Sequence, residues 1–76
     1  MNKGNSRDRV VVASDVSDRD GIGIEFYRND VLVVEVFRDD AQKTREVTLY
    51  KKNVSLDLVE EAIVSFRNEI PWEFQD

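Results

Sequence analysis

Asp15-Val16-Ser17-Asp18-Arg19-Asp20-Gly21 is the densest run of oxygen donors in the chain. The chemistry it suggests is calcium binding by a loop of alternating ligands. Counted from Asp15, the third and fifth positions are Ser17 and Arg19, the sixth is Asp20 where glycine is needed, and the twelfth is Phe26 where glutamate is needed. The run therefore reads as a solvated turn, and Asp39-Asp40 as a loop whose charge resists edge pairing. Gly21-Ile22-Gly23 suggests a phosphate-binding loop, but no strand precedes it, no helix follows it, and the third glycine is missing. Gly23 instead leaves a gap on the outer face of a sheet or permits a bulge.

Other reactive chemistry is scarce. The 76 residues include no histidine and no cysteine. The usual base near neutral pH, the usual nucleophile, the disulfide and the thiolate ligand are absent together. Catalysis would fall to carboxylates, a lysine or a serine in a pocket, and so small a domain has few walls to make one. No catalytic, cofactor-binding or metal-ligating residue is assigned, no cofactor or small-molecule ligand is indicated, and the expectation is a protein that is not an enzyme. Sixteen acidic against eleven basic residues, a net charge of −5, argue against nucleic acid as a partner. Lys51-Lys52, ahead of the last apolar-periodic segment, suggests the phosphate grip of double-stranded RNA-binding domains. Asp57, Glu60 and Glu61 would repel phosphate there, and the N-terminal helix of that fold has no counterpart. The Met1 end lacks the apolar region of a signal peptide, and no apolar run is long enough to span a membrane. The expected setting is soluble and cytoplasmic.

The elements that must hold these residues are more legible. Ile22, Ile24 and Phe26 alternate with Gly23, Glu25 and Tyr27, the period of a half-buried strand. Val31-Leu32-Val33-Val34-Glu35-Val36-Phe37 is rich in β-branched residues and too short for a typical helix. Arg45 to Lys51 supplies a third strand. Parity sets the first turn. A two-residue loop at Asn29-Asp30 would set Ile24 against Glu35. A three-residue loop at Arg28-Asn29-Asp30 pairs Phe26 with Leu32, Ile24 with Val34 and Ile22 with Val36, so burial predicts the longer loop. In the second hairpin, setting Val36 opposite Val47 and Val34 opposite Leu49 leaves a polar loop of about four residues.

The helix signal follows. Ser55 suits an N-cap, and Val54 with Val59 a hydrophobic staple. Val59, Ala62, Ile63, Phe66 and Ile70 form one apolar stripe. Pro71 ends the helix at or before Ile70, and Leu56 and Leu58 are expected to close the core at its entrance. The fold class is α+β: a three-stranded antiparallel β-meander packed against one C-terminal α-helix. Val10-Val11-Val12-Ala13 is a candidate fourth, N-terminal edge strand. Residues 1–9 are polar and expected to be disordered, leaving 10–76 as a single small domain. Trp72 and Phe74 are expected to fold back over the core edge.

This register sets Tyr27, Val31, Val33, Phe37 and Tyr50 on the sheet face away from the helix, beside Glu25, Glu35, Glu46 and Thr48. A freely solvated face would be more polar. Contiguous apolar surface marks an interface unless the chain's own ends cover it. The leading expectation is a non-enzymatic protein–protein interaction or self-association module, a homodimer formed through these candidate interface residues. The alternatives are a nucleic-acid-associated protein using Lys51 and Lys52, and an acidic inhibitor of a basic partner.

Asp20-Gly21-Ile22-Gly23-Ile24-Glu25, Glu35-Val36-Phe37-Arg38-Asp39-Asp40 and the Val54-to-Ile70 helix together resemble small bacterial proteins of unknown function. The resemblance covers about residues 20–70. It implies a bacterial, cytosolic setting and no particular activity.

Overall fold

The computed structural model describes residues 8–17 and 19–75. One antiparallel sheet takes its strands in chain order, β1 (Arg9–Asp15), β2 (Gly21–Arg28), β3 (Val31–Asp39) and β4 (Thr44–Leu49), and α1 (Leu56–Glu69) follows. This is the α+β architecture expected, with the valine run as its fourth strand. Val10 lies opposite Phe26 and Val12 opposite Ile24. Of the segment expected to be disordered, residues 1–7 lie outside the described residues. Arg9 opens β1, and Asp8 accepts from Arg28 Nη1 (2.8 Å) and the Asn29 amide (3.0 Å).

The first hairpin departs from the parity argument. Asn29 and Asp30 form a two-residue turn, both with positive φ (52° and 65°), the type I′ pattern whose twist suits a hairpin. Tyr27 pairs with Leu32 and then Phe26 with Val34, so Val33 is an extra residue on β3. That bulge shifts the register by one residue in the opposite sense to the longer loop, so Phe26, Ile24 and Ile22 face Val34, Val36 and Arg38 where Leu32, Val34 and Val36 were expected. It brings Ile24 opposite Val36 and keeps the core face apolar. Val33, expected on the outer face, instead joins the core cluster and is 3% exposed. The second hairpin has the expected register, Val36 opposite Val47 and Val34 opposite Leu49. Its loop is stabilised by Asp39 Oδ1, which accepts from the amides of Ala41 and Gln42 (both 3.1 Å).

The Ser55 hydroxyl accepts from the Leu58 amide (3.1 Å), capping the helix, and Asp57 and Arg67 sit at the dipole ends that favour them. Leu58, Ala62, Phe66 and Ile70 pack on Ile24, Phe26, Val34 and Val36, with Val54 against the cluster. Leu56 points away and is 70% exposed, so only Leu58 closes the core at the helix entrance. A single helix of this diameter covers about two strands, and α1 packs on β2 and β3.

The C-terminal segment folds back over one end of the core. Trp72 meets Phe66 edge-on (6.2 Å, 74°), and the guanidinium groups of Arg45 and Arg67 lie 3.8 and 4.2 Å from its ring. Arg38, almost wholly buried, forks onto the Asp40 carboxylate (2.8 and 3.1 Å) and donates to the Pro71 carbonyl (2.6 Å). Asp40 also accepts from the Gln75 amide (3.0 Å). The buried charge therefore has its partners, and breaking either one would strand it.

Candidate interaction surfaces

The outer face is built from β2 outward. Gly21 and Gly23 have no side chains, and the Phe37 ring lies in the space they leave. A methyl on Gly23 would meet Phe37 Cδ1 at 3.0 Å and one on Gly21 would meet Cε2 at 3.2 Å. The Arg19 guanidinium covers the ring at 3.8 Å and forks onto Glu35 through Nη1 (2.9 Å) and Nη2 (3.0 Å). Phe37 is consequently 1% exposed. Glycine below and arginine above make it a second, small core on the far side of the sheet.

The charges of this face are largely satisfied within the chain. Glu35 lies directly opposite Glu25, a like-charge pair that Arg19 offsets on one side. Glu35 and Asp15 hold the Arg19 pKa above its ordinary value, Glu35 being the stronger cause. Tyr27 donates to Glu25 Oε1 (3.0 Å), which raises the phenol pKa. Burial, then the nearby Glu35 charge, raises that of Tyr50. Arg9 lies 4.1 Å from the Tyr27 ring and pairs with Asp30 (2.8 Å).

Of the five candidate interface residues, Val33 and Phe37 are thus buried inside the chain, Tyr27 is half-buried, and Tyr50 is 51% exposed. Val31 is also 51% exposed, but the bulge sets it opposite Arg28 on the helix side, not on the outer face. The face does not present them as one apolar patch. Its missing cover is Arg19, whose distance in sequence from Phe37 and Glu35 hid the contact.

The exposed apolar surface lies on the other side. Because α1 spans only two strands, the core-side residues of the outer strands stand uncovered: Val10 and Val12 on β1, Val47 and Leu49 on β4, all between 43% and 49% exposed. Between β1 and α1 lies a cleft of about 180 Å³ lined by Val10, Phe26, Arg28, Glu61 and Ser65 among others. In it Arg28 bridges Asp8 (2.8 Å) and Glu61 (3.0 Å). Arg28 is also the main cause that lowers the Asp8 pKa, with the Asn29 amide next.

The remaining sequence motifs resolve locally. The Asp15 carboxylate accepts from the Ser17 amide (3.0 Å) and hydroxyl (2.7 Å), closing a turn and lowering the Asp15 pKa. Lys51 and Lys52 are exposed between β4 and α1, next to a helix start that carries Asp57. Among the described residues no group of acidic side chains is arranged to hold a metal ion, and no helix is long and apolar enough to cross a membrane. No protein-family model, curated protein or solved structure matches the chain.

Proposed function

We propose that this protein is a non-enzymatic interaction module that acts by self-association. One observation carries the reading: among the described residues a single helix serves a four-stranded sheet, and the core-side valines and leucine of both outer strands are about half exposed. Apolar surface left beside a finished core is surface that a second protein can bury. The cleft beside α1 supports the same reading, since about 180 Å³ is below the usual size of a small-molecule site and Arg28 in it already pairs with Asp8 and Glu61.

Sedimentation equilibrium over a wide concentration range, in low and high salt, tests the reading. A dimer that persists in high salt supports it, because apolar burial is not screened. A monomer at every concentration removes self-association as the activity.

A further inference from the structure

The two sheet edges differ in what lies beside them. β4 is six residues long, and Arg45 near its start is tied to the C-terminal segment through the Trp72 carbonyl (2.8 Å) and lies 4.2 Å from the Phe74 ring. β1 is seven residues long, Arg-Val-Val-Val-Ala-Ser-Asp, and pairs with β2 in unbroken register. Like β4, it has no proline, no lysine and no bulge, the devices that ordinarily stop an edge from pairing. Among the described residues nothing pairs with its outer side.

The hydrogen-bond phase of the sheet says what that edge offers. The Asp40 amide donates to the Asp20 carbonyl (2.7 Å), and the Tyr50 amide to the Val33 carbonyl (2.8 Å). Hydrogen-bonded and non-hydrogen-bonded pairs alternate along an antiparallel ladder. Carried through the observed registers, the backbone groups of Arg9, Val11, Ala13 and Asp15 point into the sheet. Those of Val10, Val12 and Ser14 point outward.

We infer that β1 pairs antiparallel with β1 of a second copy about a two-fold axis at Val12, joining the two sheets into one. This rests on the self-association reading above and specifies its contact. In this register Val12 faces Val12, Val10 faces Ser14, and Arg9 faces Asp15 at both ends. All seven residues are paired, the three outward-facing residues meet as hydrogen-bonded pairs, and each terminal charge meets its opposite. Arg9 and Asp15 form non-hydrogen-bonded pairs, in which side chains approach most closely. Within the chain these two already touch Asp30 and Arg19, with side chains 49% and 30% exposed, which leaves each room for a second partner. Moving the axis to Val11 or Ala13 removes both new ion pairs, setting Arg9 against Ala13 or Asp15 against Val11. The axis is perpendicular to the sheet, so both helices lie on one side and Val10 and Val12 of each copy line the trough between them. A strand-edge contact is small, which places the dimer among weak, reversible associations.

Charge reversal tests the register. Dissociation constants are measured by sedimentation for Arg9→Asp, Asp15→Arg, the double reversal and Val12→Pro, with the urea midpoint of each as the check on folding. Each single reversal should weaken the dimer by roughly tenfold or more, since two attractive pairs become repulsive, and the double reversal should restore it. Val12→Pro removes an amide that β1–β2 pairing does not use, and should abolish association while the domain stays folded. A dimer indifferent to both single reversals, or one not rescued by the double, overturns the register. If the dimer ignores the β1 variants but is lost on Leu49→Lys, β4 is the contact; the inference falls and self-association stands. A monomer throughout defeats both.

Discussion

Replacing Phe37 with alanine separates the two accounts of the outer face. The sequence places this ring on a face free for a partner, where its loss would cost the folded monomer little. In the structure the ring is 1% exposed, lies over Gly21 and Gly23, and is covered by Arg19 at 3.8 Å. No neighbouring side chain from β2 can collapse into the space, because the residues below are glycines. Phe37→Ala should therefore cost about 3–5 kcal/mol, the range for a large buried aromatic. At roughly 0.05–0.15 kcal/mol per residue, a 76-residue domain has about 4–11 kcal/mol in all. The variant should lose between about a quarter and all of that stability. Urea unfolding followed by far-ultraviolet circular dichroism measures this directly. With a slope of about 1 kcal/mol/M, the midpoint should fall by about 3 M or the transition should vanish. Tyr50→Ala, at a side chain 51% exposed, is the control and should change stability by less than about 1 kcal/mol. A Phe37→Ala midpoint within about 1 M of the parent would refute the reasoning and return the ring to the list of free surface groups.

Gly23→Ala should destabilise by about 1–3 kcal/mol, because the new methyl collides with the Val36 carbonyl oxygen and meets the Phe37 Cα at 2.8 Å and its ring at 3.0 Å; an unchanged urea midpoint would contradict that packing. Asp8, Asp15 and Asp40 all have pKa values below the ordinary 3.8, lowered chiefly by Arg28, the Ser17 amide and Arg38 respectively. A carboxylate depressed in the folded state contributes stability that is present above its unfolded pKa and lost as pH falls through its folded one. Stability should accordingly decline below about pH 4, and Asp40→Asn should make that decline shallower; an equal slope would remove Asp40 from the acid response.

Much of the fold was legible because the apolar pattern carried it. Ile22, Ile24 and Phe26 at a period of two, Ser55 and Pro71 each marked a feature the structure has. The helix stripe was legible only in part: Ala62, Phe66 and Ile70 face the core as expected, but Leu58 fills its first turn while Val59 and Ile63 are half-buried outside the core cluster. The β3–β4 register followed from matching apolar positions across a short polar loop. The β2–β3 turn did not, because parity reasoning assumes a regular ladder. Asn29 and Asp30 both tolerate positive φ, so the tighter turn was open, and a bulge at Val33 kept apolar residues on the core face in a register two residues from the expected one. Leu56 was misplaced for a simpler reason: a leucine at the first turn of a helix lies on whichever side the helix phase dictates. The outer face was the least legible part. Its apolar residues are visible in the sequence, but the lid over Phe37 comes from Arg19, a residue whose type and neighbours suggest only a solvated turn.

The surfaces that do remain open follow from proportion, not from any motif. One helix cannot cover four strands, and the outer strands of this sheet are apolar on the side the helix leaves bare. The proposed self-association accordingly falls to the sheet margins, where backbone groups and half-exposed apolar side chains lie together.

Backbone amide and methyl NMR shifts followed on serial dilution test that claim most directly. Val10, Val12 and Ser14 should shift with concentration along one saturating curve, while Tyr50 and the Lys51-Lys52 segment stay fixed. Shifts confined to Tyr50 and the Lys51-Lys52 segment, or none at any concentration, would contradict the account.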